Sequence, residues 1–403
     1  MSGCGSVVAR PVRVGRHWLL LLTLMSAVVG CQRQPAEAYQ WAIPGQFPTP
    51  NVPKNNPMST AKVTLGRYLF YDPGLSYNQQ QSCASCHQQA HAFAEARPTS
   101  VGGSGERLRR NASALVNVGY NQTLTWAHPY LRELERQVLI PMFAETPVEL
   151  GISGHEDEVL ARFREGVYPE RFAEAFGSPE PDFNRISQAL AAFVRSLISF
   201  ASRFDRYAFE GDDQALTETE IRGMNLFFSE RLQCHHCHGG FNFTQSTAAH
   251  DGGGPVTLFQ NIGLYNVGNR DLYPSTDTGV YEITGRKQDM GAFRAPTLRN
   301  VAVSGPYMHD GSVASLDEVI AIYAAGGRDL ATGEWAGDGR QNRYKSQFIQ
   351  PLALTPAERA DLLAFLAALT DEQFLTNPAF ANPFVTTRPS PPAAPRPDAM
   401  NPP

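Results

Sequence analysis

Apolar side chains recur at three- and four-residue spacing along much of this chain, and strict polar/apolar alternation is scarce. Between Phe183 and Tyr207 the positions Ile186, Leu190, Phe193, Leu197 and Phe200 draw one face of an amphipathic helix. Thr217-x-x-Glu220 reads as a capping box ahead of Ile221, Met224 and Phe227. Ser315-x-x-Glu318 reads as another, opening a helix through Val319, Ile322 and Tyr323. Thr355-Pro356 followed by Glu358 starts a third that runs to about Leu369. The pattern therefore predicts a mainly α fold with long loops and little β.

The ends of the chain read differently. Arg10, Arg13 and Arg16 precede an apolar run from Trp18 to Val29, which marks residues 1–30 as a secretory signal, too short for a membrane span. Val28-Val29-Gly30-Cys31 matches a bacterial lipobox, with lipidation and anchoring at Cys31 expected and ordinary cleavage nearby as the alternative. The expected compartment is the periplasm. Residues 31–57 read as a linker and residues 378–403, rich in proline from Pro383 onward, as an extended tail. Between them lie two segments, 58–212 and 213–377, divided near Gly211–Leu216.

Composition narrows the classes. A chain of 403 residues with 42% hydrophobic residues can bury a sizeable core, and a net charge of −5 offers no basic field for nucleic acid. Loss of residues 1–30 removes three arginines and no acid, which makes the mature charge −5 − 3 = −8. Four of the six cysteines stand as two C-x-x-C pairs, each followed by histidine: Cys83-Ala84-Ser85-Cys86-His87 and Cys234-His235-His236-Cys237-His238. In C-x-x-C-H the two thiols form thioethers with one haem and the adjacent imidazole becomes an axial iron ligand. A shared zinc site would leave both histidines idle and must join pairs 151 residues apart. Two covalent haem c groups follow, one per segment.

The order of further motifs resembles the bacterial di-haem cytochrome c peroxidase/MauG superfamily. It comprises Leu65-Gly66-Arg67-Tyr68-Leu69-Phe70-Tyr71-Asp72, the first C-x-x-C-H, Arg110-Asn111-Ala112, Trp126, Pro147-Val148-Glu149 and the second C-x-x-C-H. It ends with Pro296-Thr297-Leu298-Arg299-Asn300 and Pro306-Tyr307-Met308-His309-Asp310-Gly311. Leu124-Thr125-Trp126, Phe227-Phe228-Ser229-Glu230-Arg231-Leu232 and Gly239-Gly240-Phe241-Asn242-Phe243-Thr244 are most similar to the MbnH-like branch.

That resemblance implies two cytochrome c-like haem domains, the first peroxide-reactive and the second electron-transferring. His87 and His238 would be proximal ligands. Glu149 matches the family's catalytic glutamate, Gln137 a distal glutamine and Pro141 a proline near the first iron. The loop Val101–Glu106 holds no histidine to close that iron, and His91 is expected on the proximal side. Trp126 matches a tryptophan between the haems. Asn111, with the backbone oxygens of Ser304 and Pro306, matches a calcium site, a chemistry suited to hard oxygen donors. Fourteen residues beyond His309, where peroxidases carry a ligating methionine, stands Tyr323. A phenolate there favours higher oxidation states of the second iron. The alternative is a core tyrosine beside Val319 and Ile320, with Met308 or Met290 as ligand.

The function so implied is oxidation of residues of a partner protein by hydrogen peroxide, through a high-valent di-haem state. An MbnP-like secreted protein, with tryptophan converted to kynurenine, is the expected substrate. A peroxidase drawing electrons from a small redox protein is the first alternative, and a non-catalytic di-haem electron carrier the second.

Overall fold

A computed structural model describes residues 37–247 and 259–385. The signal segment, Cys31 and the chain beyond residue 385 lie outside the described residues. Among the described residues no helix is long and apolar enough to cross a membrane.

The first half carries α1 (Thr60–Tyr71), α2 (Cys83–Cys86), α3 (Leu134–Gln137), α4 (Leu139–Phe143), α5 (Glu156–Arg162), α6 (Tyr168–Phe176), α7 (Phe183–Arg195) and α8 (Arg203–Phe209). The second carries α9 (Glu218–Phe227), α10 (Tyr281–Thr284), α11 (Leu316–Ala325), α12 (Pro356–Ala368) and α13 (Glu372–Thr376). Among the described residues the strands form two short antiparallel pairs, Phe259 opposite Arg294 and Asp329 opposite Asp338. The fold is mainly α, built of cytochrome c-like halves with long loops.

Each half rests on one close helix crossing. Ser59 caps α1 by accepting the Lys62 N–H, and Leu65, Leu69 and Phe70 turn inward. Asp182 caps α7, whose Ile186, Leu190 and Phe193 face them. The helices meet at Gly66, where a Cβ would stand 1.9 Å from the Ala189 carbonyl oxygen. The second half repeats the device. Thr217 and Glu220 close the expected capping box on α9, Thr355 and Glu358 do so on α12, and Gly223 meets the Asp361 carbonyl at the same 1.9 Å. Glycine lets backbones approach where any side chain would collide.

Four sequence expectations are corrected. The helix expected from Phe183 to Tyr207 stops at Arg195, and α8 starts afresh after Ser202. Asn117 takes over the intervening backbone: its Oδ1 accepts the Ser199 N–H at 2.8 Å and its Nδ2 donates to the Ser199 carbonyl at 3.0 Å. Ser315 caps α11, but the Glu318 carboxylate accepts from Ala314 N–H, so no reciprocal box forms. The stretch taken as a linker is packed from residue 37 onward. Phe47 stacks on Phe200 at 4.0 Å, and buried Asn56 accepts from Lys62 Nζ at 2.9 Å. Residues 378–385, taken as tail, return to the first half. Phe380 is buried against Phe374, and its carbonyl accepts from Tyr71 Oη at 2.8 Å.

The halves share their cores in both directions. Phe374 packs on Phe93, while Phe204 joins Phe227, Phe243 and Phe365. Arg299 and Asp205, both fully buried, form a two-pronged ion pair with both contacts at 2.8 Å. The Arg299 guanidinium also lies 4.7 Å from the centre of the Phe200 ring.

Candidate functional site

The first C-x-x-C-H begins on the single turn α2, stabilised where Ser82 N–H donates to Ser85 Oγ at 3.0 Å. Cys83 and Cys86 are unbridged and lie three residues apart on that turn. His87 follows at once, with Nδ1 2.7 Å from the Phe93 carbonyl oxygen. An acceptor at that distance fixes the proton on Nδ1 and leaves Nε2 as the ligating atom. Left-handed backbone at Ala92 and Phe93 turns that carbonyl toward the ring. Burial lowers the His87 pKa, which keeps the imidazole neutral.

Glu149 belongs to a loop tied down on both sides. Gly103 N–H donates to its carbonyl at 2.7 Å, and Leu150 N–H donates to the Pro141 carbonyl at 2.9 Å. Glu149 and Pro141 are thereby neighbours, and Gln137 sits four residues before Pro141 with a buried Oε1 that has no hydrogen-bond partner among the described residues. Burial pushes the Glu149 carboxyl up to about 7; burial also raises the Cys83 thiol, to which the Glu149 charge adds a smaller push. The expected acid and the first C-x-x-C turn are therefore within electrostatic reach of each other. His91 places Nδ1 3.1 Å from the Val303 carbonyl, bridging to the second half.

One acid was missed. Glu95 is buried and accepts from Ser100 Oγ; burial raises the Cys86 thiol, and the Glu95 charge adds to that rise. A carboxylate inside Ala92-Phe93-Ala94-Glu95-Ala96 was the available signal.

The second C-x-x-C-H starts as a 3-10 turn after left-handed Gln233. His238 Nδ1 lies 3.0 Å from the Pro296 carbonyl and 3.3 Å from that of Phe243, so Nε2 is again the free nitrogen. Burial lowers its pKa to about 4. Cys234, Cys237 and His238 line an apolar cavity together with Trp126, Arg294, Met308, His309 and Tyr323. Tyr323, on α11, is thus brought to the cavity that holds His238. Enclosure raises its phenol pKa, with the two thiols adding to the effect. A phenolate there would need a cation beside it. Met308 shares the cavity, whereas Met290 is buried in the core near Tyr273 and does not line it.

Trp126 couples the halves: Nε1 donates to the Asn111 carbonyl at 2.9 Å, and Arg294 N–H donates to the Trp126 carbonyl at 2.7 Å. Asn111 Nδ2 donates to the carbonyls of Arg97 and Pro98, both at 3.1 Å. Gly305 and Pro306, which follow Ser304 in the chain, line a neighbouring depression together with Pro98 and Gly311.

Arg294 also escaped sequence reading. It is buried and lines the cavity; among the described residues its guanidinium donates only from Nε, to the Thr125 carbonyl at 3.0 Å, and has no carboxylate partner. Burial lowers its pKa to about 10. An uncompensated cation in an apolar cavity calls for an anionic group on what fills it. Paired thiols, a neutral imidazole, an apolar wall and this guanidinium fit a haem with its acidic side chains.

The family described as di-haem cytochrome c peroxidase matches residues 60–214. The chain is 33% identical to the cytochrome-c peroxidase IdrP1 of Denitromonas iodatirespirans, over 90% of this chain and 93% of that one. It is 32% identical to the methylamine utilization protein MauG of Methylorubrum extorquens, over 79% and 81%. Among solved structures, a MauG-like protein associated with microbial copper homeostasis is 46% identical with a TM-score of 0.84, covering 86% of this chain and all of that one.

Proposed function

Because the chain belongs to the di-haem cytochrome c peroxidase/MauG family of haem-dependent, peroxide-using oxidoreductases, we propose that it uses hydrogen peroxide to oxidise a partner protein. The favoured chemistry is conversion of tryptophan to kynurenine in an exported, MbnP-like partner. The supporting observation is Tyr323 in the second cavity with His238 and Trp126, where a peroxidase would present methionine.

Two haem c groups, which the di-haem family implies, would supply the iron chemistry; the chain's residues do the rest. Cys83 and Cys86, and Cys234 and Cys237, would hold the groups by thioethers, and His87 and His238 would offer neutral Nε2 atoms. Glu149 accepts a proton from one peroxide oxygen and returns it to the other, which lets the leaving oxygen depart as water. A carboxyl that titrates near 7 is suited to both directions of that transfer. Gln137 offers an amide donor beside it, and Pro141 bounds the pocket. Trp126 offers an aromatic ring between the halves, and Tyr323 a phenolate that favours oxidised iron. Each peroxide takes up two electrons from the partner's side chain; opening tryptophan to N-formylkynurenine is a four-electron oxidation and so uses two peroxides, and hydrolysis then releases the lost carbon as formate to leave kynurenine.

The division of labour assigns peroxide chemistry to residues 58–212 and electron transfer to residues 213–377. Asn111 with the Ser304 and Pro306 carbonyls is assigned one calcium ion, whose removal by chelator and metal analysis would test it. Periplasmic export with a lipid at Cys31 completes the reading.

The deciding experiment is mass spectrometry of a co-expressed exported partner, with and without this enzyme. Peptides that lose carbon and gain oxygen at tryptophan are expected only with wild-type enzyme and peroxide. Tyr323→Phe should retain both haems and lose this modification. A specific observation favours the peroxidase alternative: Met308 also lines the second cavity. If Tyr323→Phe modifies the partner normally, or if a reduced small cytochrome is oxidised by wild type while the partner is untouched, the peroxidase reading replaces this one.

A further inference from the structure

The two residues between Cys234 and Cys237 are both histidines, and the haem-binding role of the motif uses neither. Both rings face Glu230. His235 Nε2 lies 3.5 Å from Glu230 Oε1, and His236 Nε2 lies 3.2 Å from Glu230 Oε2. The three donor atoms are within 4.8 Å of one another, the only such histidine, cysteine and carboxylate grouping among the described residues.

The grouping is held from several sides. Ser229 Oγ donates to the Leu226 carbonyl and accepts from Leu232 N–H, which fixes the turn that carries Glu230. Arg231, next in the chain, is paired with Glu358 instead, so among the described residues the side chains that reach the Glu230 carboxylate are the two imidazoles. The rings form a stack: Phe348 on His236 at 4.8 Å and 13°, then His236 on His235 at 4.5 Å and 29°. His235 Nδ1 is buried, so Nε2 is the nitrogen that ring presents. Side chains locked by packing lose little freedom when they ligate an ion.

Ligands about 2.0–2.1 Å from an ion stand about 2.9 Å apart at a right angle and about 3.3 Å apart in a tetrahedron, so the nitrogen–oxygen separations of 3.5 and 3.2 Å need only a small closure for either geometry. Two imidazoles and one carboxylate suit zinc and copper, whereas calcium and magnesium prefer all-oxygen sets. Between the two suited ions, copper(II) binds such a site more tightly. We propose that Glu230, His235 and His236 form a divalent transition-metal site on the outer face of the second C-x-x-C turn, binding Cu²⁺ in preference to Zn²⁺ and not Ca²⁺. The exposed side of the ion would be open to water. The site is separate from the cavity lined by His238 and Tyr323 and does not depend on the proposed function.

The test uses the intact di-haem enzyme, chelator-treated and dialysed, titrated with copper(II) sulfate by calorimetry and electron paramagnetic resonance. One tightly bound Cu²⁺ per chain is expected, with hyperfine coupling to two nitrogens, retained against equimolar Zn²⁺ and against excess Ca²⁺. Glu230→Gln and His236→Ala should each weaken binding about tenfold or more. Glu230 lies outside the haem motif, so its variant reports even if His236→Ala binds haem poorly; haem content is read from the absorbance of each preparation. Absence of stoichiometric Cu²⁺ binding by wild type, or unchanged affinity in Glu230→Gln, would overturn the site.

Discussion

The two C-x-x-C-H turns sit in nearly the same frame and in very different chemistry. Each half crosses its main helices at a glycine pressed on a carbonyl, Gly66 on Ala189 and Gly223 on Asp361. Each histidine gives Nδ1 to a backbone carbonyl, that of Phe93 for His87 and that of Pro296 for His238. Around this common frame the polar groups diverge. The first turn has Glu149 and Glu95 within electrostatic reach of its cysteines. The second opens on a cavity whose lining, among the described residues, includes no carboxylate; its one guanidinium is Arg294, and Tyr323 is among its phenols. Holding an iron is thus a backbone task that both halves solve alike. Moving a proton or stabilising an oxidised state is a side-chain task, and the halves divide it.

The sharpest way to break that comparison is at Glu149. Glu149→Gln is expected to slow peroxide consumption about 10²–10⁴-fold, the range for loss of a positioned acid–base group, while leaving haem content unchanged. Stopped-flow absorbance would measure it; a loss under tenfold would remove Glu149 from the proton path. Wild-type rate should rise with pH through about 7 as the carboxyl ionises, and the variant should lose this dependence. The linked stability has the opposite sign. The folded pKa lies above the ordinary 4.5, so this group favours the folded state below about 4.5 and loses that contribution as pH rises through about 7.

The next largest effect concerns the join between the halves. Arg299→Leu leaves Asp205 buried without its counter-charge and is expected to cost about 3–5 kcal/mol of stability. Thermal unfolding followed by circular dichroism would show it, and a wild-type Tm would mean that Asp205 is stabilised by other groups.

Gly66→Ala and Gly223→Ala test whether the frames are equivalent. Each forces a methyl onto a carbonyl 1.9 Å away, so each should cost about 1–3 kcal/mol in denaturant unfolding. A large difference between them would mean that one crossing can shift and the other cannot.

The smallest effect is at a cap. Ser315→Ala should destabilise α11 by about 1 kcal/mol. Because α11 carries Tyr323, the visible and electron paramagnetic resonance spectra of the second haem should change before those of the first. Equal change at both would contradict a cap that acts only on the second half.

Local sequence determined what depends on near neighbours. The C-x-x-C-H pentapeptides, the capping boxes at Thr217 and Thr355, and the mainly helical character each need partners within a few residues, and hydrogen bonds at that range form wherever the chain meets them. The gathering of Tyr323 with His238 was legible only through motif order, and the neighbourhood of Pro141 and Glu149 likewise. Tertiary structure alone decided the rest. Nothing near Ser196 announces that Asn117, 79 residues earlier, will claim the backbone of Ser199 and end the helix. Nothing beside Arg294 says that it will be buried without a carboxylate, nor beside Phe380 that a proline-rich end will first return to a core 300 residues back. Burial and pairing between distant segments are set by how the whole chain closes, and pKa values and uncompensated charges follow from burial.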